Sequence, residues 1–93
     1  MIVGLLTLDL HIPQANSLKT KRMVVKSLID RTKNKFNVSV AEVDSQNLWQ
    51  RSVIGIAMVA NETLIINKVF EKIRTIVYDT HEVELIDSTT EML

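Results

Sequence analysis

The segment Ser52-Val53-Ile54-Gly55-Ile56-Ala57-Met58-Val59-Ala60 is apolar on both faces of an extended chain. A strand of that kind is expected at the centre of a sheet, covered on one side by helices and on the other by something else. Upstream, Val38-Ser39-Val40-Ala41-Glu42-Val43 is short and β-branched, a second strand. Its inward face is ambiguous, because the face holding Val38 and Val40 also carries Glu42. The connection between these strands, Asp44 to Arg51, is too long for a two-residue turn. Downstream, Asn61 is placed to cap a helix whose buried stripe would be Ile66, Val69, Phe70, Ile73, Ile76 and Val77. A last strand from about Glu82 to Thr89 alternates weakly, as an edge strand does.

At the other end of the chain, Ile2 to Leu10 alternates, with Ile2, Gly4, Leu6, Leu8 and Leu10 on one face. Pro13 and Asn16 mark a loop, and Ser17 is a good cap for a helix in which Val24, Val25, Leu28, Ile29 and Phe36 return at helical spacing. Asn37 ends it. Lys19, Arg22, Lys26, Asp30 and Lys33 share the outer face of this helix, whereas Lys21 falls within the apolar stripe and would have to aim across the end of the sheet. The order βαββαβ predicts an α+β fold, a split βαβ sandwich with two helices on one face of a four-stranded antiparallel sheet. Right-handed crossovers then bring the end of the first strand, the start of the first helix, the hairpin and the start of the last strand to one end of the sheet. His11 to Arg22, Asp44 to Arg51, and His81 are therefore expected to be neighbours.

Composition narrows the function classes. With 93 residues, 46% of them hydrophobic, the whole chain, residues 1–93, reads as one domain with a single core. Cysteine is absent, which excludes disulfides and thiolate metal sites and suits a reducing cytoplasm. The apolar N-terminus lacks a basic leader and a small-residue cleavage site, and is too short to span a bilayer. The formal net charge is zero, so bulk charge alone is not expected to hold the protein to nucleic acid or lipid. The charge is unevenly spread: seven of the eleven Lys and Arg residues lie between Lys19 and Lys35, and none follows Arg74.

The candidate binding residues are His11, Ser17, Lys19, Lys21, Arg22, Asp44, Trp49 and Arg51. Lys19, Lys21 and Arg22 oppose the dipole of the helix they start, a placement that costs roughly 0.3 to 1 kcal/mol each and suits an anion-binding role; long side chains that reach away into water avoid the cost. Leu48 and Trp49 are expected to fold back onto the core, the commoner outcome for a lone tryptophan; the alternative is that Trp49 stacks on a base or partner while Arg51 meets phosphate or carboxylate. Asp44 is available to pair with Arg51 or with a lysine of the first helix. No catalytic residue, metal or cofactor is expected. Ser17 reads as a cap, two histidines without a fixed carboxylate make a weak zinc set, and the only glycines, Gly4 and Gly55, lie within strands where they would admit a bulky neighbour. Trp49, Tyr78, Phe36 and Phe70 fall outside the strand centres, so a base-stacking RNA-recognition sheet is not expected. Val3 and Leu5 with one face of the central strand would leave an uncovered apolar surface, a candidate homodimer interface.

His11-Ile12-Pro13, Ser17-Leu18-Lys19 with Lys21-Arg22, Val24 to Arg31, Phe36 to Asp44 and Leu48-Trp49-Gln50-Arg51 together resemble the YlxP-like proteins, a family of small uncharacterised bacterial proteins. The resemblance spans nearly the whole chain and is strongest in its first two thirds. It departs at Thr20, where the family usually has an acid that completes a capping box, and at Gln14, where a glycine is common. It implies a ferredoxin-like fold, a cytoplasmic location and, because such genes often adjoin those for translation initiation and ribosome maturation, a connection with RNA or the ribosome. It carries over no reaction. The leading expectation is a non-enzymatic binding module for RNA or a ribosome-assembly partner. The alternatives are a homo-oligomeric interaction module and a small phosphorylated-ligand protein or enzyme at the same rim.

Overall fold

Strand pairing puts Arg51–Ala60 in the interior of the sheet. A computed structural model describes residues 1–93, with the elements β1 (Ile2–His11), α1 (Leu18–Lys35), β2 (Ser39–Asp44), β3 (Arg51–Ala60), α2 (Thr63–Tyr78) and β4 (Glu84–Met92). The strand order is β2-β3-β1-β4 and all three neighbouring pairs are antiparallel. This is the expected βαββαβ sandwich.

The inner face of β1 presents Leu6, Leu8 and Leu10, all buried, paired with Ile56, Ile54 and Ser52 of β3. The helices cover that face. Ile66, Phe70, Ile73 and Val77 of α2 are buried, spaced so that each lies one turn from the next. On α1 the buried line is Lys21, Val25, Leu28 and Thr32, with Val24, Ile29 and Phe36 partly covered beside it. Thr32 is tolerated in the core because its hydroxyl donates to the carbonyl of Leu28 at 2.9 Å. Arg74 ties α2 to β4, its guanidinium donating to Ser88 Oγ at 2.7 Å and to Thr90 Oγ1 at 2.6 Å.

Both glycines admit side chains. A Cβ at Gly4 would collide with Ile66 and press on Phe70 at 3.2 Å, so this glycine sets how closely α2 approaches β1. At Gly55 the intruder is Val43, whose Cγ1 would lie 3.0 Å from an added Cβ.

Ser17 caps α1, accepting the Thr20 N–H at 3.1 Å and donating its hydroxyl to Thr20 Oγ1 at 3.0 Å. Threonine thus takes up the cap hydroxyl that a capping-box acid would leave free. Several boundaries differ from expectation by one to three residues. The cap of α2 is Glu62 rather than Asn61, and its side chain makes no capping bond. β2 ends one residue later than expected, at Asp44, and β4 runs on to Met92. The strand extensions follow from pairing: β1 offers partners as far as Gly4↔Met92, which residue alternation in an edge strand does not report.

Candidate functional site

The register brings three strand ends to one rim. His11 of β1 is opposite Arg51 of β3 on one side and Glu84 of β4 on the other. Beyond the strand, the Ile12 N–H donates to the Gln50 carbonyl at 2.9 Å, and the Gln50 side-chain amide donates to the carbonyls of Pro13 and Ala15, each at 3.1 Å. The loop before α1 and the β2–β3 hairpin are therefore joined by three hydrogen bonds.

A fourth tie is electrostatic. The Lys21 side chain is completely buried, and its ammonium donates to Glu42 Oε2 at 2.7 Å, Ser45 O at 3.0 Å and Gln46 O at 3.1 Å. The same Glu42 oxygen accepts from the buried Ser52 hydroxyl at 2.7 Å. An ammonium is stable out of water only when its protons have partners, and all three do. Glu42 therefore faces the helices with Val38 and Val40, which resolves the ambiguity of β2. Lys21 aims across the sheet end as its helical phase requires, but it is corrected as a ligand contact: it is inaccessible and fully engaged within the chain. Its carbonyl partner Ser45 is the only non-glycine residue with positive φ, at 61°. The hairpin is held in a fixed shape.

The remaining candidates divide between engaged and free. The Arg51 guanidinium binds both carboxylate oxygens of Asp9 at 2.9 Å, a diagonal cross-strand pair. His11 Nδ1 lies 3.2 Å from Glu84 Oε2. Asp44 pairs with neither Arg51 nor a lysine of α1; its carboxylate accepts the Ser45 N–H at 2.7 Å. On α1, Lys26 bonds Asp30 at 2.8 Å, a hydrogen bond and charge that raise the Lys26 pKa, and Arg31 donates to Thr80 Oγ1 at 2.9 Å. Lys19 and Arg22 are exposed and have neither ion-pair nor hydrogen-bond partners. Trp49 is 55% exposed and Leu48 52%, so the expectation that they fold onto the core is corrected. Ile12 and Ala15, whose backbones bond Gln50, are fully buried although the indole stays exposed, and the hairpin backbone is tied down by Lys21.

Asp9, Glu42, Gln50, Ser52 and Glu84 take part in the rim without having been among the candidate binding residues. Asp9 was legible as an outward position two residues before His11, and the register alone connects it to Arg51. Because that pair is half-exposed, Asp9→Asn is expected to cost about 0.5 kcal/mol or less in chemical denaturation while freeing Arg51.

The chemistry of this rim follows from which of its polar groups are already engaged. Its one candidate nucleophile, Ser17, is spent on the helix cap, and no three His, Asp or Glu side chains are grouped closely enough to share a metal ion. The distinguishing features are an exposed indole on a tethered hairpin and two unpaired cations at the start of the adjoining helix. Residues 3–90 match the model of the family described as protein of unknown function, DUF503. The chain belongs to the DUF503 family. It is 34% identical over 90 residues to the uncharacterized protein YlxP of Bacillus subtilis (strain 168), covering 97% of this chain and 98% of that one.

Solved structures extend the likeness to the fold alone. A designed protein with a ferredoxin fold matches all of this DUF503 chain and 83% of its own length, with a TM-score of 0.52 and 12% identity. A C-terminal segment of the alpha subunit of aIF2 from Pyrococcus abyssi matches 98% of the chain at TM-score 0.55 and 17% identity. The DUF503 chain spans 49% of that structure. No helix of this DUF503 protein is long and apolar enough to cross a membrane.

Proposed function

We propose that this DUF503 protein is a non-enzymatic RNA-binding module of the cytoplasm that contacts structured RNA with the rim formed by the start of α1 and the β2–β3 hairpin. The observation that supports this reading is the exposed Trp49 on a hairpin whose backbone is pinned by Lys21 and Gln50. A tethered loop loses little conformational freedom on binding, and an exposed indole stacks on an unpaired base. Lys19 and Arg22, without internal partners, supply the phosphate contacts. RNA approaches from the α1 side, because the open sheet face carries Asp9, Glu84, Asp87 and Glu91 against the single guanidinium of Arg51.

The test is binding of a labelled RNA stem-loop with an unpaired loop, followed by fluorescence anisotropy over a salt series. Trp49→Ala is expected to weaken binding by about 5- to 150-fold, the range of one lost base stack. Lys19→Glu with Arg22→Glu is expected to lower the slope of log affinity against log salt by about 2. Lys21 stays intact in every variant, since its loss perturbs the hairpin itself. Undiminished binding by the triple variant Lys19→Glu, Arg22→Glu, Trp49→Ala would overturn the proposal.

A further inference from the structure

The face of the sheet turned away from the helices has a two-part character. Its apolar strip is formed by Val3 and Leu5 of β1, Val53, Ala57 and Val59 of β3, and Val43 of β2. Val59 is 59% exposed and Val43 54%, high values for such residues on adjacent strands. At the centre of the strip a groove of about 340 Å³ runs over Gly55, walled by Leu5, Ala41, Val43 and Ala57. Along one side lies β4, whose outward residues opposite Leu5, Thr7 and Asp9 are Glu91, Thr89 and Asp87. Asp9 is engaged by Arg51, but Asp87 and Glu91 have no cationic partner.

We infer that this face docks a basic amphipathic helix of another protein, laid along the strands with its apolar stripe on β2, β3 and β1 and its cationic flank over β4. The dimensions agree. Three strands span about 10 Å from first to last, close to the diameter of one helix. Asp87 and Glu91 are four residues apart on a strand, roughly 13 Å, which is near the 11 Å of two helical turns and so meets lysines repeating every second turn. A helix on the open face also completes a third layer over a sheet otherwise covered on one side.

A second copy of the chain fits less well. Isologous stacking sets each acidic row against a face of the same net sign. The apolar strip, about 14 Å by 23 Å, offers roughly 320 Å² per copy against the ~800 Å² typical of a stable interface. A weak, transient helix contact is compatible with that area.

The experiment titrates the full chain against a labelled synthetic peptide of about 14 residues, ~21 Å long as a helix, with leucines on one stripe and lysines on the flank. A matched peptide carries glutamates in place of the lysines. The lysine peptide is expected to bind saturably, the glutamate peptide not. Asp87→Lys with Glu91→Lys is expected to weaken binding about tenfold, and Ala57→Lys, which puts a charge in the strip, to abolish it. Sedimentation at low micromolar concentration is expected to show a monomer. Failure of the lysine peptide to bind, equal binding of both peptides, or a dimer dissolved by Ala57→Lys would each overturn the inference, the last in favour of a second copy. Should Ala57→Lys fail to fold, the edge-strand pair Asp87 and Glu91 still decides the question. These face variants are expected to leave stem-loop RNA binding unreduced, so this inference and the RNA reading fail separately.

Discussion

Lys21→Ala is expected to lower stability by about 3–5 kcal/mol in urea unfolding, the cost of breaking a buried ion pair from one side. The substitution removes one of the two hydrogen-bond partners of Glu42 Oε2 and the ammonium partner of the Ser45 and Gln46 carbonyls in a single step. Glu42 keeps only the Ser52 hydroxyl, and its carboxylate is left facing a largely dry pocket. Small domains have on the order of 5–15 kcal/mol in total, and each kcal/mol corresponds to about 4–8 °C in Tm at this size, so a drop of roughly 12–40 °C follows. Two further measurements separate this mechanism from simple loss of packing. The double variant Lys21→Met, Glu42→Leu is expected to be more stable than either single variant, because it removes both charges together. The fluorescence of Trp49, the sole tryptophan, is expected to change in Lys21→Ala under native conditions, because the hairpin that carries it loses two of its tethers. A Lys21→Ala protein as stable as the parent would show that the ammonium has no part in holding the hairpin.

Gly4→Val is expected to destabilise the fold by about 3 kcal/mol, the upper part of the usual range for overpacking a core. The glycine has no room for a side chain: Ile66 occupies the place of its Cβ and Phe70 stands beside it, both completely buried. α2 would have to lift from β1 along its first turns. The corresponding rescue is Gly4→Ala combined with Ile66→Ala, in which the new methyl group enters space that the shortened side chain vacates. Ile66→Ala alone is expected to cost about 2–5 kcal/mol, and the double variant less than the sum of the two single changes. Strict additivity in thermal unfolding would argue that Gly4 and Ile66 do not share that space.

How far these effects were legible differs from residue to residue. Gly4 stood out as a glycine inside an apolar strand, and a close approach was the natural reason for it. Which element approaches was not written there. Lys21 stood out as a cation within an apolar helical stripe, and helical phase alone sent it toward the hairpin. That its protons are wholly consumed by Glu42 and two carbonyls depends on the pairing of β2 with β3 and on the left-handed conformation of Ser45. Trp49 went the other way: composition favours a buried indole, while Ile12 and Ala15, whose backbones bond Gln50, are buried and the indole stays exposed. Asn61 illustrates a local tie, since either it or Glu62 could precede the first turn of α2, and the backbone places the boundary at Glu62.

Periodicity, β-branching and loop residues by themselves determined the order of the six elements. With the handedness of crossovers, that order determined that the end of β1, the start of α1 and the β2–β3 hairpin share one rim. Those properties are local or follow from chirality, so a linear sequence contains them. Only the tertiary structure decided which polar groups on that rim are free. Lys19, Lys21 and Arg22 are near neighbours of one chemical kind, yet the first and last face solvent and the middle one is dry and fully bonded. A charged side chain's state is set by its desolvation and by partners distant in sequence, as Glu42 is from Lys21 and Asp9 from Arg51, and both arise only when the sheet register closes.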